Sequence, residues 1–437
     1  MELPTPTTAA AQPPATTNRL AFAVVTSIFF MWGFLTCLND ILIPHLKSSF
    51  ELNWTQAMLI QFTFFGAYFL MSLPAGRLVA ALGYKNGIVA GLAIAGAGAS
   101  LFWPAAGMHS YPLFLGALFV LATGITVLQV AANPYVALLG PEKTSHSRLT
   151  FAQALNSLGT AIAPRFGGLL ILAAVPLTAT QLAAMPEAEA MAYRAHEAQS
   201  VQGPYLGLAI ALFALAAFVY LFRLPAIHGV EEEAHDHSFP IREVLAHRHV
   251  LFGVMAIFFY VGAEVAIGSV LVNYISMPHI GEGLSEQDAT WYVSAYWTGA
   301  LIGRLIGSAL LARFDPRKLL AIFALINVAL LLTTMTSTGD LAKWSVVSIG
   351  LFNSIMFPTI FALGIERMGP MTGKASSLLI MAIVGGAIVP VIVGWLADLR
   401  GLQFSFLVPL LCYAYIVFYG LRGARIREVA PPPVAPI

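Results

Sequence analysis

The chain has 437 residues, of which 58% are hydrophobic and only 10% charged, with a mean hydropathy of +0.80. Soluble domains carry about 25% charged residues, so a water-soluble globular fold is excluded, and a net charge of +1 lacks the basic face that nucleic acid requires. The two cysteines, Cys37 and Cys412, lie in apolar runs and offer neither a disulfide framework nor a zinc site.

Residues 1–18, rich in Pro, Thr and Ala, lack the basic segment and short apolar stretch of a cleaved signal and read as a disordered cytoplasmic tail. Runs near 20 apolar residues follow, the length that crosses about 30 Å of hydrocarbon at about 1.5 Å per residue. Twelve are expected, near 20–46, 57–82, 86–107, 111–139, 148–173, 204–224, 249–276, 288–312, 317–336, 341–365, 375–398 and 403–422. The first six form a bundle over 19–224 and the last six a bundle over 249–422. A polar loop near 174–203 separates the fifth and sixth. The segment 225–248, with Glu231, Glu232, Glu233 and Asp236 near Arg242 and Arg248, reads as a solvated cytoplasmic linker. Residues 423–437 form a second disordered tail.

The distribution of basic residues orients the chain. With both termini cytoplasmic, 17 of the 22 Lys and Arg residues lie on the cytoplasmic side, while Lys47, Arg194, Lys343 and Arg400 face outward and Arg165 falls within a span.

The two halves repeat at a nearly constant spacing. Gly76-Arg77-Leu78 recurs as Gly303-Arg304-Leu305, Pro134 recurs as Pro358, and Arg148 is matched by Lys374. Parallel halves related by an axis along the membrane normal describe the major facilitator architecture, an all-α membrane fold of two pseudo-symmetric six-helix bundles. The basic residues Arg77 and Lys85, and Arg313, Arg317 and Lys318, fit its loop signature and equally serve topology alone.

Polar groups inside the spans are the functional candidates, since a charge in hydrocarbon costs about 2.5–3.5 kcal/mol on insertion scales. Asp40 in the first span and Glu264 in the seventh are separated by that same spacing, and so stand at equivalent places in the two halves. Pro44 cannot donate to the Asp40 carbonyl, which leaves a free acceptor beside a carboxylate. The alternative is a buried acid paired with a hidden cation or amide; no Lys or Arg lies along either helix at matching depth. In the fifth span Gln153, Asn156, Ser157 and Thr160 share one helical face, and in the fourth Gln129 and Asn133 do the same. Amides both donate and accept, which suits a ring of sugar hydroxyls, although each amide could equally bond a neighbouring helix. Arg165 is expected to snorkel toward the outer headgroups. Trp32, Tyr68, Tyr296, Trp297 and Trp395 could stack on a sugar, with packing or interfacial anchoring the commoner use. The sequence holds no Walker-type loop, paired metal-ligand spacing or nucleophile elbow, so neither an enzyme nor a cofactor is expected.

Several stretches resemble the fucose–galactose–glucose proton symporter family. They are Phe29 to Phe34 with Leu38-Asn39-Asp40-Ile41-Leu42-Ile43-Pro44; Ala131 to Val136 with Leu139-Gly140-Pro141-Glu142; Arg148-Leu149 through Gln153 to Gly159; and Phe357 to Phe361 with Gly364-Ile365. The likeness covers nearly all of 20–422. It implies uptake of a monosaccharide across a bacterial inner membrane by cotransport with a proton, through alternating access, in a protein expected to act as a monomer in the lipid bilayer. It also implies coupling by Asp40, and sugar contacts by Gln153 and Asn156, with Asn39 and Phe357 from the matched segments as further candidates. The match breaks in the fourth span, where Gln129 replaces the glutamate of the fucose symporters, while Glu264 stands where those carry a glutamine. This pattern resembles the glucose/galactose branch. Asp40 and Glu264 are therefore the expected ion-coupling residues, with Gln129 and Asn133 as sugar-binding ones. N-acetylglucosamine, fructose or fucose as substrate, sodium as the cation, and a non-transporting sugar sensor remain alternatives; the linker is too short to hold an output domain for the last.

Overall fold

A computed structural model describes residues 18–50, 54–170, 185–189, 193, 199, 201–225, 239–282, 284 and 286–426; at 37–49, 54–58, 61, 164–170, 286–288 and 290 it describes the backbone alone. The side chains of Asn39, Asp40, Pro44 and Arg165, most of the loop near 174–203, the acidic run of the linker and both tails lie outside the described residues. Every described element is a helix, and a helix occupies the place of each expected span.

Nine helices among the described residues are long and apolar enough to cross a membrane. One of them, Phe62–Gly107, is 46 residues long and belongs to a single element, Trp54–Gly107, that fills both the second and third spans. At about 1.5 Å per residue it would run about 80 Å if straight, far more than one bilayer. Gly83, at φ 77° and ψ 165°, breaks it. A Cβ on Gly87 would stand 3.0 Å from Val79 Cγ2, so the chain has doubled back on itself across this glycine. The expected loop at 83–85 is replaced by a reversal that only glycine adopts without strain.

Ser145–Leu170 and Glu286–Leu311, the fifth- and eighth-span helices, are not among the nine. They carry the amide-rich face and Arg304, and they pack against each other between the halves. The tenth span is two pieces, Gly339–Asn353 and Met356–Ile365. The eleventh is Thr372–Met381 and Gly385–Arg400 joined by a 3-10 turn at Ala382–Val384, and the twelfth closes as a π-turn at Tyr419–Gly423.

The repeat seen in the sequence recurs in the packing. A Cβ on Gly159 would overlap the Phe30 carbonyl, and one on Gly385, its counterpart in the second half, would overlap the Phe258 carbonyl. Small residues let the first and fifth spans approach backbone to backbone, and the seventh and eleventh likewise. Arg148 closes the turn between the fourth and fifth spans. Its guanidinium donates to the carbonyls of Val136, Ala137, Gly140 and Pro141 and to Thr144 Oγ1, which satisfies acceptors that a helix C-terminus leaves open. Asp315 caps Pro316–Thr336 by accepting from Arg317 N at 2.9 Å. Burial would raise its carboxyl, but hydrogen bonds from Arg317 and Lys318 and the Arg317 charge outweigh that and hold it below the usual range.

Candidate substrate and coupling site

Arg77, Lys85, Arg148, Arg313 and Arg317 mark one end of the bundle, here the basic end. The hydrogen bonds between the halves, among the described residues, lie from mid-span to this end. Ser376 Oγ donates to the Val130 carbonyl at 3.1 Å, Ser308 Oγ to the Ser147 carbonyl at 3.0 Å, and Arg304 Nη1 to Ser157 Oγ. A Cβ on Gly76 would overlap Ser377 Oγ, so the second and eleventh spans also touch here. The seam is closed at the basic end.

In the first half, Gln129, Asn133 and Gln153 are all buried and in line. Gln129 Nε2 donates to Tyr68 Oη at 2.7 Å, and Gln153 Nε2 to Asn133 Oδ1 at 3.5 Å. Gln129 Oε1 and Asn133 Nδ2 have no protein partner. An unmet acceptor and an unmet donor one helical turn apart are costly in an apolar interior. A hydroxyl group, which both donates and accepts, has the chemistry to meet either of them. Asn156 and Thr160 are placed differently: Asn156 Nδ2 donates to the Phe29 carbonyl at 3.0 Å and Thr160 Oγ1 to Gly33 and Asn156. Their described bonds hold the first and fifth spans together.

The second half carries a network around Asn353, the last residue before the tenth span breaks. Its Oδ1 accepts from Asn327 Nδ2 at 2.9 Å and Tyr413 Oη at 2.6 Å, and its Nδ2 donates to Tyr296 Oη at 2.7 Å. Tyr260 Oη donates to Glu264 Oε1 at 2.7 Å and lies 3.2 Å from the Asn353 carbonyl. Glu264 is itself only half-buried, and its carboxyl accepts from the Tyr260 phenol. The nearest cation acting on it is Arg304, from the eighth span.

Residues 20–383 match the Major Facilitator Superfamily over most of the chain. The chain is a member of that superfamily. It is 52% identical over 405 residues to the glucose/galactose transporter of Brucella abortus, covering 93% of this chain and 94% of that one. It is 38% identical over 414 residues to the L-fucose-proton symporter of Escherichia coli, covering 94% and 93%. The crystal structure of the superfamily transporter FucP in the outward conformation superposes with a TM-score of 0.83 at 38% identity, over 92% of this chain and 97% of that one. The resemblance to the fucose–galactose–glucose symporters is thus borne out.

Within this superfamily member the structure brings Gln129, Asn133 and Gln153 together and sets Glu264 in a separate network of the other half. Phe357 is buried against Phe361, with centroids 6.1 Å apart. Trp32 packs on Phe29, while Trp297 and Trp395 lie on the outer surface. The seventh-span helix carries no cation at the depth of Glu264, as expected, but a charge from another helix acts on it. Arg304 has the sequence context of a loop-end basic residue, but it lies inside Glu286–Leu311, from which its charge acts on Glu264. Sequence reading also passes over Asn327, Asn353 and Tyr413. Two amides inside adjacent apolar spans are the available signal for the first two.

Proposed function

We propose that the chain imports a monosaccharide, a hexose of the glucose/galactose type, together with a proton by alternating access. The observation that carries this reading is the pair of buried, unpartnered groups Gln129 Oε1 and Asn133 Nδ2, an acceptor and a donor matched to vicinal hydroxyls. The names of the relatives, a glucose/galactose transporter and an L-fucose-proton symporter, support it. Gln129, Asn133 and Gln153 bind the sugar; Asn156, Asn39 and Phe357 border the site. Asp40 and Glu264 carry the proton, as intramembrane carboxylates in matching places of the two halves.

The bundles 19–224 and 249–422 act as two bodies across twelve crossings, as a monomer in a bacterial inner membrane with the basic end in the cytoplasm. Closure of the seam at that end supports reading this as an outward-facing form. Gln129 is an amide and cannot titrate, so it serves binding, and the charge change of the cycle falls to the two carboxyls.

The test is uptake of a panel of labelled monosaccharides by reconstituted protein, with proton and sodium gradients imposed separately. Accumulation of glucose or galactose on the proton gradient alone is expected. Accumulation on sodium alone, or preference for a sugar outside this class, would replace the reading.

A further inference from the structure

Pro358 has no N–H for the carbonyl four residues before it. That carbonyl, Ser354 O, accepts from Arg304 Nε at 3.3 Å instead. The other arm of the guanidinium crosses to Ser157 Oγ in the first half. The same charge acts on Glu264, and on Tyr260 and Tyr296 beside it. Tyr260, which donates to Glu264, also lies 3.2 Å from the carbonyl of Asn353, the residue before Ser354, so Arg304 joins the broken tenth span to the amide-rich face of the fifth close to the network that holds the carboxyl of the seventh.

A buried hydroxyl adds an independent sign. Shifting by the repeat carries Val130 to Ser354 and Thr150 to Ser376. Ser376 Oγ holds the Val130 carbonyl. Its counterpart, Thr150 Oγ1, is wholly buried and holds nothing, because the carbonyl it would take by symmetry is occupied by Arg304. The fifth-span helix packs directly on Met356–Ile365, the piece that begins two residues after Ser354.

We propose that Arg304 is a positioning residue with two seats, one on Ser157 and Ser354 while Glu264 is protonated, the other on Glu264 when it is ionised. In the second seat Thr150 takes the vacated Ser354 carbonyl. This rests on Glu264 being a coupling carboxyl. A partly buried guanidinium prefers a carboxylate to neutral oxygens, since only the carboxylate cancels its charge. The groups facing Glu264 are Tyr260 on its own helix, Tyr296 and Arg304 from the eighth span, and Tyr413 from the twelfth; phenols, with ordinary values of about 10, keep their protons when a carboxyl ionises.

The first seat ties the halves together at the basic end, so a protonated carrier without sugar stays shut. Ionisation of Glu264 draws the guanidinium away and frees the seam. A sugar on Gln129 and Gln153 sits one turn from Ser157, and its hydroxyls compete for the same guanidinium. The protonated form without sugar is then the one that does not reorient, which is the condition for symport without proton leak.

Two substitutions separate this from a merely structural contact, because they push the seam in opposite directions. In a Cys37→Ser, Cys412→Ser background, a Ser377→Cys probe is buried against Gly76 while the seam is closed. It is labelled with an impermeant maleimide from the basic end, in sugar-free proteoliposomes. The otherwise unchanged chain is expected to label slowly at acidic pH and faster at alkaline pH. Ser157→Ala should label about tenfold faster than this reference at acidic pH, with the pH dependence flattened. Thr150→Val should label slowly at both. Changes in the same direction, or a reference without pH dependence, overturn the proposal. Labelling needs neither sugar nor gradient, so a failure of proton-driven accumulation with this pattern intact would sink the coupling reading and leave the two seats standing.

Discussion

Ser376 Oγ donates to the Val130 carbonyl at 3.1 Å, and that carbonyl is the one Pro134 leaves without its helical donor. A proline in the middle of a span therefore creates the acceptor by which the second half grips the first. The fold uses the same device at Pro358, where the released Ser354 carbonyl is taken by Arg304.

Ser376→Ala removes that grip without disturbing charge. A net hydrogen bond is worth about 1 kcal/mol, so the outward-facing population should fall about fivefold relative to the inward one. Apparent affinity for external sugar weakens by the same factor if the outward form becomes the minor one. Uptake kinetics with sugar on the outside read this directly; an unchanged KM together with unchanged basic-end labelling would mean that the bond holds nothing.

Gln129→Ala should cost about 1–3 kcal/mol in sugar binding, since it deletes one partner of a buried hydroxyl and leaves Tyr68 Oη unmet. Equilibrium counterflow is the measurement, with KM raised and maximal rate nearly kept. Tyr68→Phe, which removes only the phenol that orients the amide, is expected to show a milder version. Equal losses for both would place the phenol itself on the sugar.

The two carboxyls should part company on substitution. Asp40→Asn is expected to abolish accumulation against a gradient while counterflow persists. Glu264→Gln keeps an acceptor for Tyr260 Oη and removes the charge, so its counterflow should survive with a flattened pH profile. Accumulation by Asp40→Asn at the unsubstituted level would strip Asp40 of its role; an unaltered pH profile in Glu264→Gln would return that residue to packing.

Glu142 and Glu366 are another repeat-related pair, and their charges repel each other at the basic end. Burial, and then that repulsion, raise the Glu366 carboxyl above its ordinary 4.5 despite Arg317 and Arg367. The native state therefore binds a proton more tightly than the unfolded one. Stability is highest below 4.5, falls as pH rises through the native value and is then constant. Glu366→Gln removes the penalty. Its melting temperature in detergent should exceed that of the parent at pH 7, with the gain vanishing in acid. A Glu366→Gln protein that melts lower at neutral pH would mean the charge is needed by Arg317 or Arg367.

Much of this was legible in the residues because the bilayer imposes simple rules. Span length, the basic bias and the constant spacing of the repeat all follow from hydrocarbon thickness and duplication, and the polar stripe at Gln153 to Thr160 was visible as periodicity. Arg304 was not, for a physical reason: Gly303-Arg304-Leu305 has the same letters as a loop-end motif, and depth along a helix is decided by where the helix stops. The Asn353 hub was hidden because its partners come from the seventh, eighth, ninth and twelfth spans, and periodicity reports only neighbours along one helix. The amides of Asn156 and Gln153 look alike in sequence; only packing shows that one bonds a helix backbone and the other faces an unmet donor.

The reversal at Gly83 has a mechanical consequence. With one residue between them, the second and third spans have no slack, so a tilt applied to either is delivered undiminished to the other. The pair works as one stiff lever with its fulcrum at the basic end. A side chain placed at Gly83 would strain that fulcrum, and any residues spliced in beside it would turn the lever into two loose rods.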